Sequence, residues 1–313
     1  MTRLLITFVL ALGLVPSLSA GEKEPLRLLF VGSSSTYFND LPDAVRWVVS
    51  GKIAGGKGRT ASAEIVGRSG DDIRVYMQEG FDRYQYGVKP KQTFLQKVAE
   101  EKFDYVTLMV VCRFITREDD GRRSHADAIS HYCDAIRKAG GEPVFYEMGW
   151  SKGEVEGDGQ QRIFDLAVKN RVKVFAPCSS AWARVYRERP DLELQHKNDR
   201  VHPGDLGHFI NIACFYAAFT RESPVGKLPR TYPVWPHFTK EEREQAEDEL
   251  DRKLASFEAS DYQAALPKWM RRNSAGGFTA TLDDKTARYL ETVAWETWQS
   301  IDAKLRKEIA SQP

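Results

Sequence analysis

Leu26-Arg27-Leu28-Leu29-Phe30-Val31-Gly32-Ser33-Ser34-Ser35-Thr36-Tyr37-Phe38-Asn39-Asp40-Leu41-Pro42 is the stretch that decides the fold. The apolar run Leu26 to Val31 has the length and composition of a strand. It breaks at Gly32 into three serines, and a helical pattern begins near Asp40. A strand thus delivers a hydroxyl to the edge of a sheet. In open parallel α/β sheets ligands sit outside the carboxyl ends of the strands, so a serine placed there is a candidate nucleophile. The same Gly-Ser-Ser turn also serves as a plain strand-to-helix connection, so chemistry needs a second signal.

That signal lies far downstream, in Asp199-Arg200-Val201-His202-Pro203-Gly204-Asp205-Leu206-Gly207-His208. A carboxylate and an imidazole share one short polar loop, followed by the apolar helical run Phe209 to Phe219. A serine nucleophile needs a base to take its proton and a third group to hold that base in the right tautomer. Ser34, His202 and Asp199 are the right residue types for those roles.

With both blocks in view, the chain resembles the SGNH (GDSL-type) hydrolase superfamily. The matching residues are Gly32-Ser33-Ser34 with Thr36 to Pro42, and Asp199, His202, Pro203 and Gly207. The resemblance spans roughly Leu26 to Gly226. It implies a three-layer α/β/α, flavodoxin-like parallel sheet with Ser34 beside the switch point. It also implies Ser34 as nucleophile, His202 as base and Asp199 as its orienting partner. Backbone N–H groups of Ser34 and of Gly70, after the second strand, would form the oxyanion hole; in the plain reading that turn only caps a helix with Asp71. Ser33 stands where the superfamily has Asp or Asn, and Ser35 is the alternative nucleophile if the turn slides by one residue.

The chain departs from the pattern after the third strand, where superfamily members supply a side-chain donor to the oxyanion. Here the strand ends Met109-Val110-Val111-Cys112-Arg113, and neither methionine nor valine donates a hydrogen bond. Arg113 is the candidate substitute, since a guanidinium stabilises developing negative charge; its plain role is a surface cation.

The chain has 313 residues. Arg3, the apolar run Leu4 to Val15 and the small residues Ser17, Ser19 and Ala20 read as a secretory signal peptide over residues 1–20. The run is too short to span a bilayer, which takes about twenty apolar residues. Export to the periplasm or exterior is the expectation, with no membrane span in the mature chain of about 290 residues. Once Arg3 leaves, the 45 basic side chains become 44, matching the 44 acidic ones. That balance provides no field to steer nucleic acid or anionic lipid. The four cysteines lie in apolar or helical contexts and read as buried free thiols, because a large core needs no staples.

Along the chain, strand and helix alternate. Helical spacing covers Leu41 to Ile53, and strand-like runs follow at Ala61 to Val66, Asp104 to Val111, Pro143 to Met148 and Val172 to Ala176. Helices are expected near Asp72 to Glu79, Gln92 to Glu101, Ser124 to Ala139, Gln160 to Asn170 and Ser179 to Arg189. With the first strand this makes about five parallel strands with helices on both faces. Residues 21–228 form the expected catalytic domain, and 229–313 a helical extension packing on it. The extension opens with Pro229, Pro233 and Pro236, then a capping box at Thr239 to Glu242 and a stripe of Ala246, Leu250, Leu254 and Phe257. It ends in a helix striped by Leu290, Ala294, Trp298, Ile301, Leu305 and Ile309.

The reading is an exported serine esterase acting on a small-molecule or polysaccharide acyl ester, with O-acetyl groups on carbohydrate as the class implied by the resemblance and the leader. A lipid esterase or thioesterase is the alternative enzyme, and a non-catalytic carbohydrate-binding or scaffolding relative the alternative outside enzymes. No cofactor is expected: the glycines from Gly51 to Gly58 lack the Gly-Lys-Ser/Thr ending of a phosphate loop. Asp199, His202 and His208 could form a metal site, but a serine partner accounts for the first two without a metal. Of the other histidines, His125 and His131 fall on an exposed-looking helix, His196 in a polar loop and His237 among prolines. The tryptophans, Trp150, Trp182, Trp235, Trp269, Trp295 and Trp298 among them, read first as packing and second as sugar-stacking surfaces.

Overall fold

β1 (Leu26–Gly32) is buried at every position except Arg27. Leu28 and Phe30 enter the core on one side of the sheet, Leu29 and Val31 on the other. A strand apolar on both faces belongs in the middle of a parallel sheet, and that is where it lies. β2 (Ala61–Gly67) pairs on one side of it and β3 (Tyr105–Val111) on the other. β4 (Glu142–Met148) and β5 (Val174–Ala176) continue outward, all parallel, in the order β2-β1-β3-β4-β5. The chain leaves β1 toward one edge, then crosses back to build the other. The carboxyl ends of β1 and β3 are therefore the topological switch point, where open α/β sheets bind ligands.

The computed structural model describes residues 23–67, 73–74, 92–115, 124–149, 152, 157–197, 200–234, 241, 245 and 279–313. The expected leader, and all but residues 73–74 of the helix near Asp72 to Glu79 and 241 and 245 of the charged helix after Thr239, lie outside the described residues.

After β1 come the one-turn helix α1 (Ser34–Tyr37), a 3-10 turn (Phe38–Asp40) and α2 (Leu41–Val49). α3 (Phe94–Glu101) starts on a capping box, with Thr93 and Gln96 each taking the other's backbone N–H. α4 (Cys112–Ile115) ends β3, and α5 (His125–Lys138) is capped by Ser124. α6 (Gly159–Lys169), α7 (Cys178–Glu188) and α8 (Asp205–Thr220) follow. α2, α7 and α8 cover one face of the sheet; α3, α5 and α6 cover the other. The result is a three-layer α/β/α fold.

α8 is apolar all round and buried on every side after its first turn. Its one amide, Asn211, must find partners there. It takes the Trp182 indole N–H at 2.9 Å and donates to the Tyr146 hydroxyl at 3.1 Å. Trp182 is thus a core residue. The four cysteines are free and buried, and burial pushes the Cys133 thiol up to about 12.

Beyond α8, β6 (Thr231–Pro233) pairs antiparallel with β7 (Thr279–Thr281), an element that the alternation pattern did not predict. α9 (Asp284–Ser311) buries Leu290, Val293, Ala294 and Trp298 in the layer of α7 and α8, while Leu305 near its end joins the opposite layer. Trp295 and Trp298 stack on each other at 5.1 Å. Trp47 on α2 is the exposed tryptophan among the described residues, at 49%. No helix among the described residues is long and apolar enough to cross a membrane.

Candidate active site

Gly32 ends β1 where a side chain cannot fit. A Cβ there would overlap Thr36 Oγ1 and lie 2.8 Å from Met109 Cβ. The chain therefore turns tightly into α1, and Thr36 N–H closes the turn on Ser33 O at 2.8 Å. Ser34 is the first helical residue and is 9% exposed, against 1% for Ser35. The Thr36 hydroxyl donates to Met109 Sδ at 3.3 Å. Met109 is thus a buried brace for the serine turn.

Asn39 and Asp40 follow with φ of 55° and 53°, a left-handed pair that swings the chain into α2. Asn and Asp tolerate that region better than other non-glycine residues. The bend aims two groups at the second block. Asn39 Nδ2 donates to Pro203 O at 3.3 Å, and the Phe38 ring stacks on the His202 imidazole at 4.4 Å with planes 7° apart.

The His202 loop is held from its other side by the segment before it. Gln195 and Pro203 form an isolated antiparallel bridge, His196 N–H donates to His202 O at 2.7 Å, and Gly204 N–H to Leu194 O at 2.8 Å. Gly207 lets α8 start against Trp182, since a Cβ would overlap Leu194 O and stand 2.5 Å from the indole. His196 is 4% exposed and edge-on to Phe38 at 5.7 Å, so the polar loop holds a buried ring.

The structure thus brings Ser34 and His202 to the same edge of the sheet. Their blocks meet through Phe38 and Asn39, and among the described residues the Ser34 hydroxyl makes no hydrogen bond. Asp199 and Gly70 lie outside the described residues. Arg113 is exposed, its guanidinium 4.9 Å over the Phe114 ring. His208 is buried in the first turns of α8, near Tyr232, and burial alone pushes its pKa down to about 3. Among the described residues no group of three His, Cys, Asp or Glu side chains gathers to hold a metal.

Two groups escaped the sequence reading. His125, expected on an exposed face, is 6% exposed and stacks on Phe114 at 5.7 Å. It lines a small pocket at the carboxyl ends of β1 and β3 with Gly32, Ile73, Met109, Val110 and Ile129. Glu147 at the end of β4 is 1% exposed and accepts from Ser180 N–H at 2.8 Å and from its hydroxyl at 3.0 Å. It caps α7 in place of Pro177, whose side chain cannot. Burial pushes its carboxyl up to about 7 against those two hydrogen bonds. A wider groove of about 850 Å³ opens at the opposite, amino edge, among Arg59, Asp104, Lys173, Arg221 and Asp302. Its described lining holds no serine, cysteine or histidine, whereas His125 lines the smaller pocket.

No protein-family model and no curated protein matches the sequence. Solved structures do. A DUF4886 family protein from Bacteroides uniformis is 14% identical with a TM-score of 0.44, over 76% of this chain and 94% of that one. Protein YxiM from Bacillus subtilis is 15% identical with a TM-score of 0.43, over 63% of this chain and 57% of that one. A gut microbial diltiazem-metabolizing enzyme is 13% identical with a TM-score of 0.37, over 63% of this chain and 47% of that one. Likeness at this level assigns no chemistry. The fold rests on the strand order, and the site on its own residues.

Proposed function

We propose that the chain is an exported serine hydrolase of the SGNH type that cleaves acyl esters, with O-acetyl groups on carbohydrate as the substrate class. The observation that carries the reading is the junction of the serine turn and the histidine loop, by the Phe38–His202 stack and the Asn39–Pro203 hydrogen bond. Two segments far apart in sequence meet where open α/β sheets bind ligands.

In the proposed reaction His202 takes the Ser34 proton as Ser34 Oγ attacks the ester carbonyl, and Asp199 steadies the imidazolium. The alcohol leaves with that proton, and water then releases the acyl group from Ser34. The Ser34 hydroxyl must move onto His202 as substrate binds, as catalytic hydrogen bonds often tighten only in the complex. Backbone N–H groups of Ser34 and Gly70 receive the oxyanion, each such donor commonly contributing about 3 kcal/mol. The residues 1–20 direct export.

One observation favours a second reading, a non-catalytic relative that binds carbohydrate. The side chain at the missing donor position, Met109, is buried and already engaged by Thr36. Labelling with a serine-reactive fluorophosphonate separates the two. The hydrolase labels, and both Ser34→Ala and His202→Ala abolish the label. A folded protein that takes up no reagent refutes the hydrolase and leaves the binder.

A further inference from the structure

Phe38 opens the 3-10 turn that follows the helical turn of Ser34, so the candidate nucleophile and this ring belong to one short piece of chain. The ring is 2% exposed and that of His202 1%. Their planes lie 7° apart with centroids at 4.4 Å, so the imidazole meets the face of the benzene ring and not its edge. His196 packs on the same ring at 75° and 5.7 Å, and the next residue, Asn39, is pinned to Pro203 O at 3.3 Å. An imidazole exchanges protons at nitrogens in its own plane, so Phe38 covers a face of the base and leaves proton transfer to the rim. The face of an aromatic ring is the negative part of its quadrupole. A cation within about 6 Å of the ring centroid is attracted to it, most strongly where water is excluded.

We infer that Phe38 is a positioning residue that acts through His202, its ring face stabilising the imidazolium that forms as the base takes the Ser34 proton. The inference rests on the hydrolase reading and adds to it a residue that touches neither substrate nor nucleophile. As Ser34 Oγ bonds to the ester carbonyl, its proton passes to a His202 nitrogen and a positive charge appears against the face of Phe38. The charged ring is attracted more than the neutral one it replaces, so the contact is stronger in the transition state than before it and raises kcat. Release of the acyl group by water passes through the same imidazolium, so both steps gain alike and KM stays put. Such an attraction is worth about 2-fold in rate at an exposed site and about 30-fold at a desolvated one. With both rings buried, the upper end is expected.

The test places mono-, di- and pentafluorophenylalanine at position 38, beside Phe38→Leu, and measures 4-nitrophenyl acetate hydrolysis and the rate of fluorophosphonate labelling. Fluorination withdraws charge from the ring face in steps while the ring stays flat and nearly the same size. Rates are counted per site that finally labels, so a loss of folded fraction cancels. Both rates should fall stepwise along the series, by about 30-fold in all, with KM nearly constant, and Phe38→Leu should be slow as well. The fluorinated proteins keep the test open should Phe38→Leu fail to fold. Rates level across the fluorinated series overturn the inference even if Phe38→Leu is slow, because packing alone would then explain the ring; the hydrolase stands. A rise in KM at constant kcat does the same, by putting the ring against substrate. A wild-type protein that neither labels nor hydrolyses overturns both.

Discussion

Glu147 and Glu291 are both carboxylates sunk in the protein, and they are accommodated in opposite ways. Glu291, on α9, has a fully buried side chain that meets a cation: Arg230 Nη1 at 2.6 Å and Nη2 at 3.2 Å, with Gly226 N–H at 2.8 Å. Arg230 also reaches Asp284, so one guanidinium ties the segment after α8 to the first turns of α9. Glu147, at the carboxyl edge of the sheet, meets no cation in its two bonds, only the N–H and hydroxyl of Ser180 at the start of α7. The first arrangement compensates a buried charge with an opposite charge. The second compensates it by keeping the proton. The C-terminal junction is therefore held by an ion pair, while the edge that carries the candidate site has a carboxyl poised to titrate.

Three measurements press on that contrast. The largest effect belongs to Arg230→Ala, which leaves Glu291 buried without its cation. Breaking a buried pair from one side costs about 3–5 kcal/mol, read as a lowered urea midpoint. A loss under 1 kcal/mol would mean that Glu291 rehydrates and the clamp is ornamental.

Glu147 should make stability depend on pH with the sign opposite to that of a salt-bridged carboxylate. Its native value of about 7 lies above its ordinary 4.5. Below 4.5 both folded and unfolded chains hold the proton and the contribution is complete. Between 4.5 and 7 the unfolded chain ionises while the native one does not, so stability falls, by up to about 3 kcal/mol, and levels off above. Glu147→Gln, which mimics the protonated form, should flatten that slope and be the more stable protein at pH 8. A wild-type profile that rises from pH 5 to 7, unchanged in the variant, would refute the assignment.

The smallest effect is steric. Gly207→Ala places a methyl against Leu194 O and the Trp182 ring, so α8 must shift. Overpacking of this kind costs about 1–3 kcal/mol. Because α8 starts beside the His202 loop, ester hydrolysis should fall by more than the folded fraction does.

Much of this architecture was legible in the chain. The run Leu26 to Val31 reads as a doubly buried strand because both its faces are apolar, and the five strands follow from the same signal. The stripe Leu290, Ala294, Trp298 and Leu305 placed the last helix. The Ser34 and His202 blocks stood out because glycine and proline punctuate them where the backbone must turn sharply. The helix expected from Leu41 to Ile53 stops at Val49, where Ser50 leaves helical geometry and its hydroxyl takes the Ala61 N–H instead.

The sequence by itself determined the repeating elements and the residue types available for chemistry, since periodicity and turn propensity act over a few residues. Only the tertiary structure decided which polar groups lose water. His125 seemed to face solvent until Phe114 of α4 covered it, and nothing near Glu147 in sequence reveals that its partner is Ser180 on the helix after β5. The pairing of Thr231–Pro233 with Thr279–Thr281 and the stacking of Phe38 on His202 likewise join segments far apart in the chain. Desolvation and long-range contact are properties of the packed molecule, and they set both the carboxyl that holds its proton and the edge at which the serine turn and the histidine loop meet.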